Sequence, residues 1–245
     1  MSPLGHAINL AIPILILNVF FLVKFIFCKE LSLFMFQDRF EAGKQLAAKL
    51  SKYKGSKAVL VLGIPRGGVE VAYAIAKELK VKLGIAVSKK LAFPGNPELA
   101  IGAVAFGGVV SLDDSFVLQY GVGKDYVEAE KKKLAAGIRR RYLAYGVKFP
   151  NVKGKTAVVV DDGMATGHTV LAAVKAARKG KPKKIVVAVP VSSQQAFELA
   201  KAEADEVICI DTPEFFMAVG EFYRSFPQLT DDDVINYLKS AKATA

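Results

Sequence analysis

Thr156 to Thr169 reads TAVVVDDGMATGHT, and the reading of this stretch decides the fold. Its opening run is β-branched and apolar with no polar alternation, which predicts a short strand, Thr156 to Val160, buried on both faces. From Thr169 onward, TVLAAVKAARK repeats apolar residues at helical spacing, so Gly163 to His168 must be a tight strand-to-helix turn. In such a turn consecutive amide N–H groups point into a concavity at the positive end of the helix dipole, where an anion is favoured. Gly163 and Gly167 permit the backbone that the turn demands, and Thr166 and Thr169 add hydroxyl donors. The lysine-terminated glycine loop of a Walker motif is absent. Asp161 and Asp162 would repel a phosphate held directly beside them. The ligand that fits carries phosphate at one end and hydroxyl donors at the other, as ribose 5-phosphate does.

Strand and helix alternate outward from this centre. Upstream, Gln37 to Lys52 sets Phe40, Leu46, Ala47 and Leu50 at helical spacing, and Ala58 to Ile64 (AVLVLGI) predicts a buried strand. That strand runs into Pro65-Arg66-Gly67-Gly68 and a helical pattern, Val69 to Leu79. A glycine pair behind an arginine suits close approach to a second anion. Lys82 to Lys90 reads as one more strand, with Lys89 and Lys90 emerging at the carboxyl edge where open α/β sheets bind ligands. Leu91 to Gly108 reads as a mobile loop broken by Pro94-Gly95-Asn96-Pro97 and then a hairpin pairing Ile101–Phe106 with Val109–Leu112. Asp125 to Tyr145 is a long helix whose KKK and RRR clusters read as a solvated face. Lys184–Val191, a helix over Gln194–Ala202, and Glu206–Asp211 complete the alternation. The pattern is α/β: a mostly parallel five-stranded sheet flanked by helices. Asp231 to Lys239 reads as a terminal helix with an acidic first turn.

The string VVVDDGMATGHT resembles the signature of the type I phosphoribosyltransferases, an apolar strand, two acids and a TG-containing loop in that order. The resemblance covers about Gln37 to Leu238 and implies the type I phosphoribosyltransferase fold with a small hood. It implies a glycosyltransferase of the pentosyltransferase kind, working in nucleotide metabolism. Such an enzyme moves 5-phosphoribosyl from phosphoribosyl pyrophosphate to a nitrogenous base and releases pyrophosphate. On this resemblance Gly163, Met164, Ala165, Thr166, Gly167, His168 and Thr169 hold the 5-phosphate. Asp161 and Asp162 are the catalytic and metal-binding pair that holds the ribose diol and its Mg2+. Arg66, Gly67 and Gly68, with Lys89 or Lys90, take the pyrophosphate. The loop after Lys90 closes over the substrates, and Phe215, Phe216 or Tyr223 stacks on the base. A homo-oligomer is expected. Hypoxanthine-guanine members carry a carboxylate immediately before the TG, where this chain has Ala165, which argues against hypoxanthine-guanine salvage. The alternative is a non-catalytic regulator that binds phosphoribosyl pyrophosphate; retention of the closing loop and of the cations favours the enzyme.

The chain has 245 residues, 52% of them hydrophobic, enough for one α/β domain and an appendage. A net charge of +11, from 34 basic and 23 acidic side chains, suggests either an anionic partner or simply a basic solvated surface. A phosphorylated small molecule would be such a partner, and nucleic acid is not expected. Cys28 and Cys209 lie in apolar runs without ligand spacing, so a reducing compartment, no disulfide and no zinc site are expected. Residues 1–34 form a separate hydrophobic segment and residues 35–245 the transferase domain. Ala7 to Phe27 has Lys24 as its only charge and is long enough to span the ~30 Å hydrocarbon core as a helix. Lys24 and Lys29 follow the run, which would leave the domain on the cytoplasmic side of a membrane. Two readings stay open: a membrane anchor, or translation from Met35, which would leave the run out of the protein.

Overall fold

A computed structural model describes residues 35–243. The apolar run 7–27, with its anchor and helix readings, lies outside the described residues, among which no helix is long and apolar enough to cross a membrane. The first half of the described chain runs α1 (Arg39–Lys49), β1 (Val59–Gly63), α2 (Gly67–Leu79), β2 (Lys82–Ile85), β3 (Ser88–Phe93), β4 (Asn96–Ala105), β5 (Val109–Leu112) and α3 (Asp114–Gln119). It continues through α4 (Lys124–Ala144), β6 (Thr156–Val160), α5 (His168–Lys179), β7 (Lys184–Val191), α6 (Gln194–Glu203), β8 (Glu206–Asp211) and α7 (Asp231–Ala243).

Five strands form an all-parallel sheet in the order β2-β1-β6-β7-β8. Both faces are covered, which is why the strands read as continuous apolar runs. Val59, Val61, Val158, Val160, Val186 and Ala188 turn toward α1 and α2. Their neighbours Leu60, Leu62, Ala157, Val159, Ile185 and Val187 turn toward α5 and α6. Successive side chains of a strand must point to opposite faces, so the one apolar run feeds two cores. A second, antiparallel sheet, β3-β4-β5, packs against α4 on one side and α5 on the other.

Two expectations need correction. Lys82 to Lys90 is two strands in different sheets. The break lies where the Tyr142 hydroxyl accepts from Val87 N at 3.0 Å and donates to Ile85 O at 3.2 Å. That side chain satisfies backbone groups that a continuing ladder would otherwise have used. Leu91 to Ala100 is not an irregular loop: Phe93 pairs with Asn96 around Gly95, whose φ is 78°, and the two strands form a hairpin with a register shift after Leu91. The broken pattern around Pro94 and Pro97 marks the turn and the irregular end of this hairpin rather than a gap in structure.

α1 and α2 cross at Gly43, where a Cβ would lie 2.6 Å from Ala74 Cβ and 2.7 Å from Val71 O. Gly43→Val is therefore expected to force the helices apart and cost about 1–3 kcal/mol. The measurement is a lower urea midpoint at unchanged slope; an unchanged midpoint would show that the helices do not meet there.

Candidate functional site

β1 and β6 are neighbours, yet the chain leaves them toward opposite faces, into α2 from β1 and into α5 from β6. Between diverging connections of this kind a crevice opens at the carboxyl ends of the strands. Both helices that begin there lack a side-chain cap: Arg66 precedes α2 and Gly167 precedes α5. By contrast, Asp38, Asp113 and Ser193 cap α1, α3 and α6 with their side chains. First-turn amides have no acceptor within their own helix. The amides of Ala165, Thr166 and Gly167 also find none among the described residues. Gly167 has φ 78°, a conformation that suits glycine, and a Cβ there would come within 3.1 Å of Ala196 Cβ.

The loop is held from behind. Met164 N donates to Val191 O at 2.9 Å, and Ser193 N donates to Met164 O at 2.8 Å. Ser193 Oγ donates to Ala165 O at 2.6 Å and accepts from Ala196 N at 3.1 Å, joining the loop to the start of α6. Met164 is thus spent on anchoring, with its amide bonded and its side chain in the core, and offers a ligand nothing. The imidazole of His168 is buried too, which pushes its pKa down, and it lies in the fields of Asp113, Lys175 and Asp114. What His168 offers an anion is its backbone amide. The hydroxyl-bearing positions Thr166 (exposed) and Thr169 (half-buried) remain open.

The two aspartates lie against the first turn of α2. A Cβ on Gly67 would collide with Asp162 Oδ2, and one on Gly68 would lie 2.7 Å from Asp161 Oδ1. The glycine pair therefore exists to admit the carboxylates, a reason additional to close approach of a ligand. Asp161 Oδ1 accepts from Asp162 N at 3.0 Å. Burial, then the charge of Asp162, holds the Asp161 carboxyl well above the usual carboxylate range. The Pro65–Arg66 peptide bond beside them is cis.

Arg39, absent from the sequence-based site, turns out to be part of it. It is 5% exposed, and its Nε donates to Asp162 Oδ2 at 2.8 Å. Its Nη1 donates to Pro227 O at 2.8 Å and lies 3.9 Å from Glu70 Oε2, while its guanidinium carbon sits 3.7 Å from the centre of the Phe226 ring. Tyr223 donates from its hydroxyl to Asp162 O at 2.6 Å, and Tyr237 donates to Glu70 Oε1 at 2.9 Å. Burial raises the Glu70 carboxyl above its ordinary range, against the lowering effects of the Tyr237 hydrogen bond and of Arg39. No local signal points to Arg39, because 123 residues separate it from its partner.

The remaining site residues divide. Tyr223 is 2% exposed and packs between Phe36 and Phe226, so it presents no ring face to a base; its expected stacking role is corrected to a core one. Phe216 leans on Phe222 with centroids 5.2 Å apart, and Phe215 is 84% exposed. Val219, in the same segment, would meet a Cβ on Gly163 at 2.6 Å, so this segment borders the phosphate loop. Lys90 pairs with Ala103, whose side of the hairpin packs on α5, the helix of the phosphate loop. Lys89 pairs with Val104 and turns to the opposite side, toward α4. Of the two lysines, Lys90 is on the α5 side of the hairpin and Lys89 on the α4 side.

The sequence profile of the phosphoribosyl transferase domain matches residues 33–225. A protein of Mycobacterium tuberculosis, provisionally named a phosphoribosyl transferase in strain CDC 1551 and again in strain H37Rv, is 42% identical over 209 residues, 84% of this chain and 47% of the relative. The chain thus spans about half the length of the curated relatives it matches. A crystal structure of a Thermus thermophilus protein is 40% identical, with a TM-score of 0.70 over 84% of this chain and 98% of that one.

Two outcomes follow from the acid pair. Arg39→Leu leaves Asp162 a nearly buried charge without its partner and is expected to cost about 3–5 kcal/mol in urea unfolding. Adding Asp162→Asn should recover a large part of that loss, whereas simple additivity would mean that the two side chains are not coupled. Asp161, whose folded pKa is raised, favours folding as pH falls toward its unfolded value near ~3.9 and disfavours it above the folded one. Asp161→Asn is therefore expected to be more stable than the parent at neutral pH, with the advantage vanishing in acid. Unfolding curves across this range decide the point, and a less stable variant at neutral pH would contradict it.

Proposed function

The chain belongs to the phosphoribosyl transferase domain family, and on that premise we propose that it transfers 5-phosphoribosyl from phosphoribosyl pyrophosphate to a ring nitrogen of a nucleobase. The observation that carries this reading is the acid pair lodged between two helix N-termini that have no side-chain caps of their own. One open N-terminus suits the 5-phosphate and the other the pyrophosphate, while the acids suit the hydroxyls between them. In the reaction, the bond from C1 to the pyrophosphate oxygen breaks with its electrons leaving on pyrophosphate. The C1–N bond forms on the opposite face, and the nitrogen gives up its proton to the released pyrophosphate or to solvent.

Each part of the chain has a task in this reading. Ala165, Thr166, Gly167, His168 and Thr169 hold the 5-phosphate through amides and hydroxyls. Gly67 and Gly68, at the start of α2, receive the pyrophosphate together with Arg66 and Lys90. Asp161 and Asp162 orient the ribose diol, with Arg39 fixing the rotamer of Asp162. Phe215 is the aromatic side chain free to lie on a base. Paired carboxylates, one with its pKa raised by burial and then by the charge of the other, also fit a divalent cation, and no cluster of three or more His, Cys, Asp or Glu suited to a metal occurs among the described residues. That donor set suits Mg2+ arriving with its substrate, since Mg2+ is commonly held by one or two carboxylates plus substrate oxygens. When bound, it would neutralise phosphate charge. The chain's own contribution is placement and donors aimed where leaving-group charge develops.

The decisive experiment is a screen of nucleobases for pyrophosphate release, run beside calorimetric titration with phosphoribosyl pyrophosphate. Thr166→Val is expected to weaken ribose 5-phosphate binding about 10- to 100-fold, the worth of one hydrogen bond to a charged group. Asp161→Asn with Asp162→Asn should abolish phosphoribosyl pyrophosphate binding, and unchanged affinity would remove the assignment. Tight binding with no release for any base would favour the non-catalytic regulator.

A further inference from the structure

The hairpin that turns Lys90 toward the phosphate loop turns Lys89 the other way, and there it meets further cations. Lys89 Nζ lies 3.1 Å, and Arg140 Nη2 3.9 Å, from the point that a Cβ of Gly137 would occupy. The Lys89 ammonium thus occupies the notch that Gly137 leaves in α4, and the Arg140 guanidinium comes up beside it. Glycine is a poor helix former at mid-helix, and this one lies inside a helix of 21 residues. Arg141, next in sequence, reaches Asp231 Oδ1 at 3.7 Å, but that oxygen already accepts the Tyr145 hydroxyl at 2.7 Å. Neither Lys89 nor Arg140 has an ion-pair or hydrogen-bond partner among the described residues. Burial, then Arg141 and Arg140, pulls the Lys89 pKa down against the opposing effect of Asp231. Positive charge is therefore gathered here beyond what the neighbouring carboxylate offsets.

We propose that Lys89, Arg140 and the Gly137 notch form an anion site on α4, separate from the transfer crevice, whose ligand is a phosphorylated small molecule. A guanidinium fork beside an ammonium point charge suits a phosphate group. Lys131 and Lys133 on the same helix are tied to Glu128 and Glu130 at 3.0 and 2.9 Å, and a nucleic-acid track along the other cations of α4 is the outcome that the oligonucleotide arm of the test decides. The site adjoins the β2–β3 link, which Tyr142 of the same helix holds at Ile85 and Val87. An occupant would therefore brace the segment that carries Lys90.

The test is calorimetric titration of inorganic pyrophosphate into the full chain and two variants. Gly137→Leu keeps every charge but displaces the Lys89 ammonium from the notch and so from Arg140, and Lys89→Gln with Arg140→Gln removes the charges while keeping the notch. Both are expected to lose one equivalent of binding, or to weaken it at least 10-fold, with circular dichroism unchanged. Retention of that equivalent in Gly137→Leu would overturn the proposal, since a diffuse positive field does not need the notch. So would displacement of pyrophosphate by a short oligonucleotide with steep salt dependence. Pyrophosphate bound in the transfer crevice is common to all three proteins, since neither variant alters Arg66, Gly67, Gly68 or Lys90, so only the equivalent lost on α4 is scored.

Discussion

Two adjacent carboxylates at the end of a buried strand need positive charge nearby, and Arg39 supplies it. Loss of water around Asp161, and then the like charge of Asp162, raise the proton affinity of its carboxyl. Arg39 opposes this from the side of Asp162, reaching in from α1. Its position is fixed in turn by segments far apart in sequence. Phe36 N donates to Phe222 O at 3.0 Å and Arg224 N to Phe36 O at 2.9 Å, so the strand-like stretch before α1 is sewn to the segment that carries Tyr223. The same segment gives Pro227 O to the guanidinium, Phe226 to its face, and the Tyr223 hydroxyl to Asp162 O. The acid pair is thus a meeting point for four parts of the chain, and its shape is inherited from their packing.

Sheet order does the rest. Only where the direction of winding reverses can two strand-to-helix turns face one crevice, and β1 beside β6 is that place. The glycines follow from it. Because the acids of one turn lie against the helix start of the other, Gly67 and Gly68 can carry no side chain. Gly163, on the acid side, is pressed by Val219 and must be equally bare. Two turns thus share one wall, and amides gathered at such a wall concentrate donors on a small anion.

The parts legible in the sequence were those set by local pattern. β6 and its turn could be read because an unbroken Val run, paired acids and a TG loop are contiguous, and the five core strands because doubly covered strands need no polar alternation. Lys82 to Lys90 misled because the agent that divides it, the hydroxyl of Tyr142, arrives from a helix more than fifty residues away. Period-two alternation alone could not show which of Lys89 and Lys90 faces α5, since that depends on the pairing of Lys90 with Ala103. Tyr223 looked like one of three aromatics available to a base, and only its burial against Phe36 and Phe226 separates it from Phe215. Arg39 was invisible for the same reason: its role exists only once helix α1 is docked.

Before a ligand arrives, a site of this kind is held in a state that the ligand would relieve. Asp161 carries a half-buried carboxyl pressed by a like charge, and the open amides of the 165–167 turn have no acceptor among the described residues. Each of these features costs the unliganded fold stability, and each is turned to advantage by a ligand that brings hydroxyl donors or a cation to the acids and phosphate oxygens to the amides. The structure around them is correspondingly firm: Ser193 ties the loop to α6, Arg39 locks Asp162, and the core valines of β6 are fully buried. Binding energy therefore need not be spent on ordering the loop or the second acid, and more of it is left for the transition state, where leaving-group charge grows.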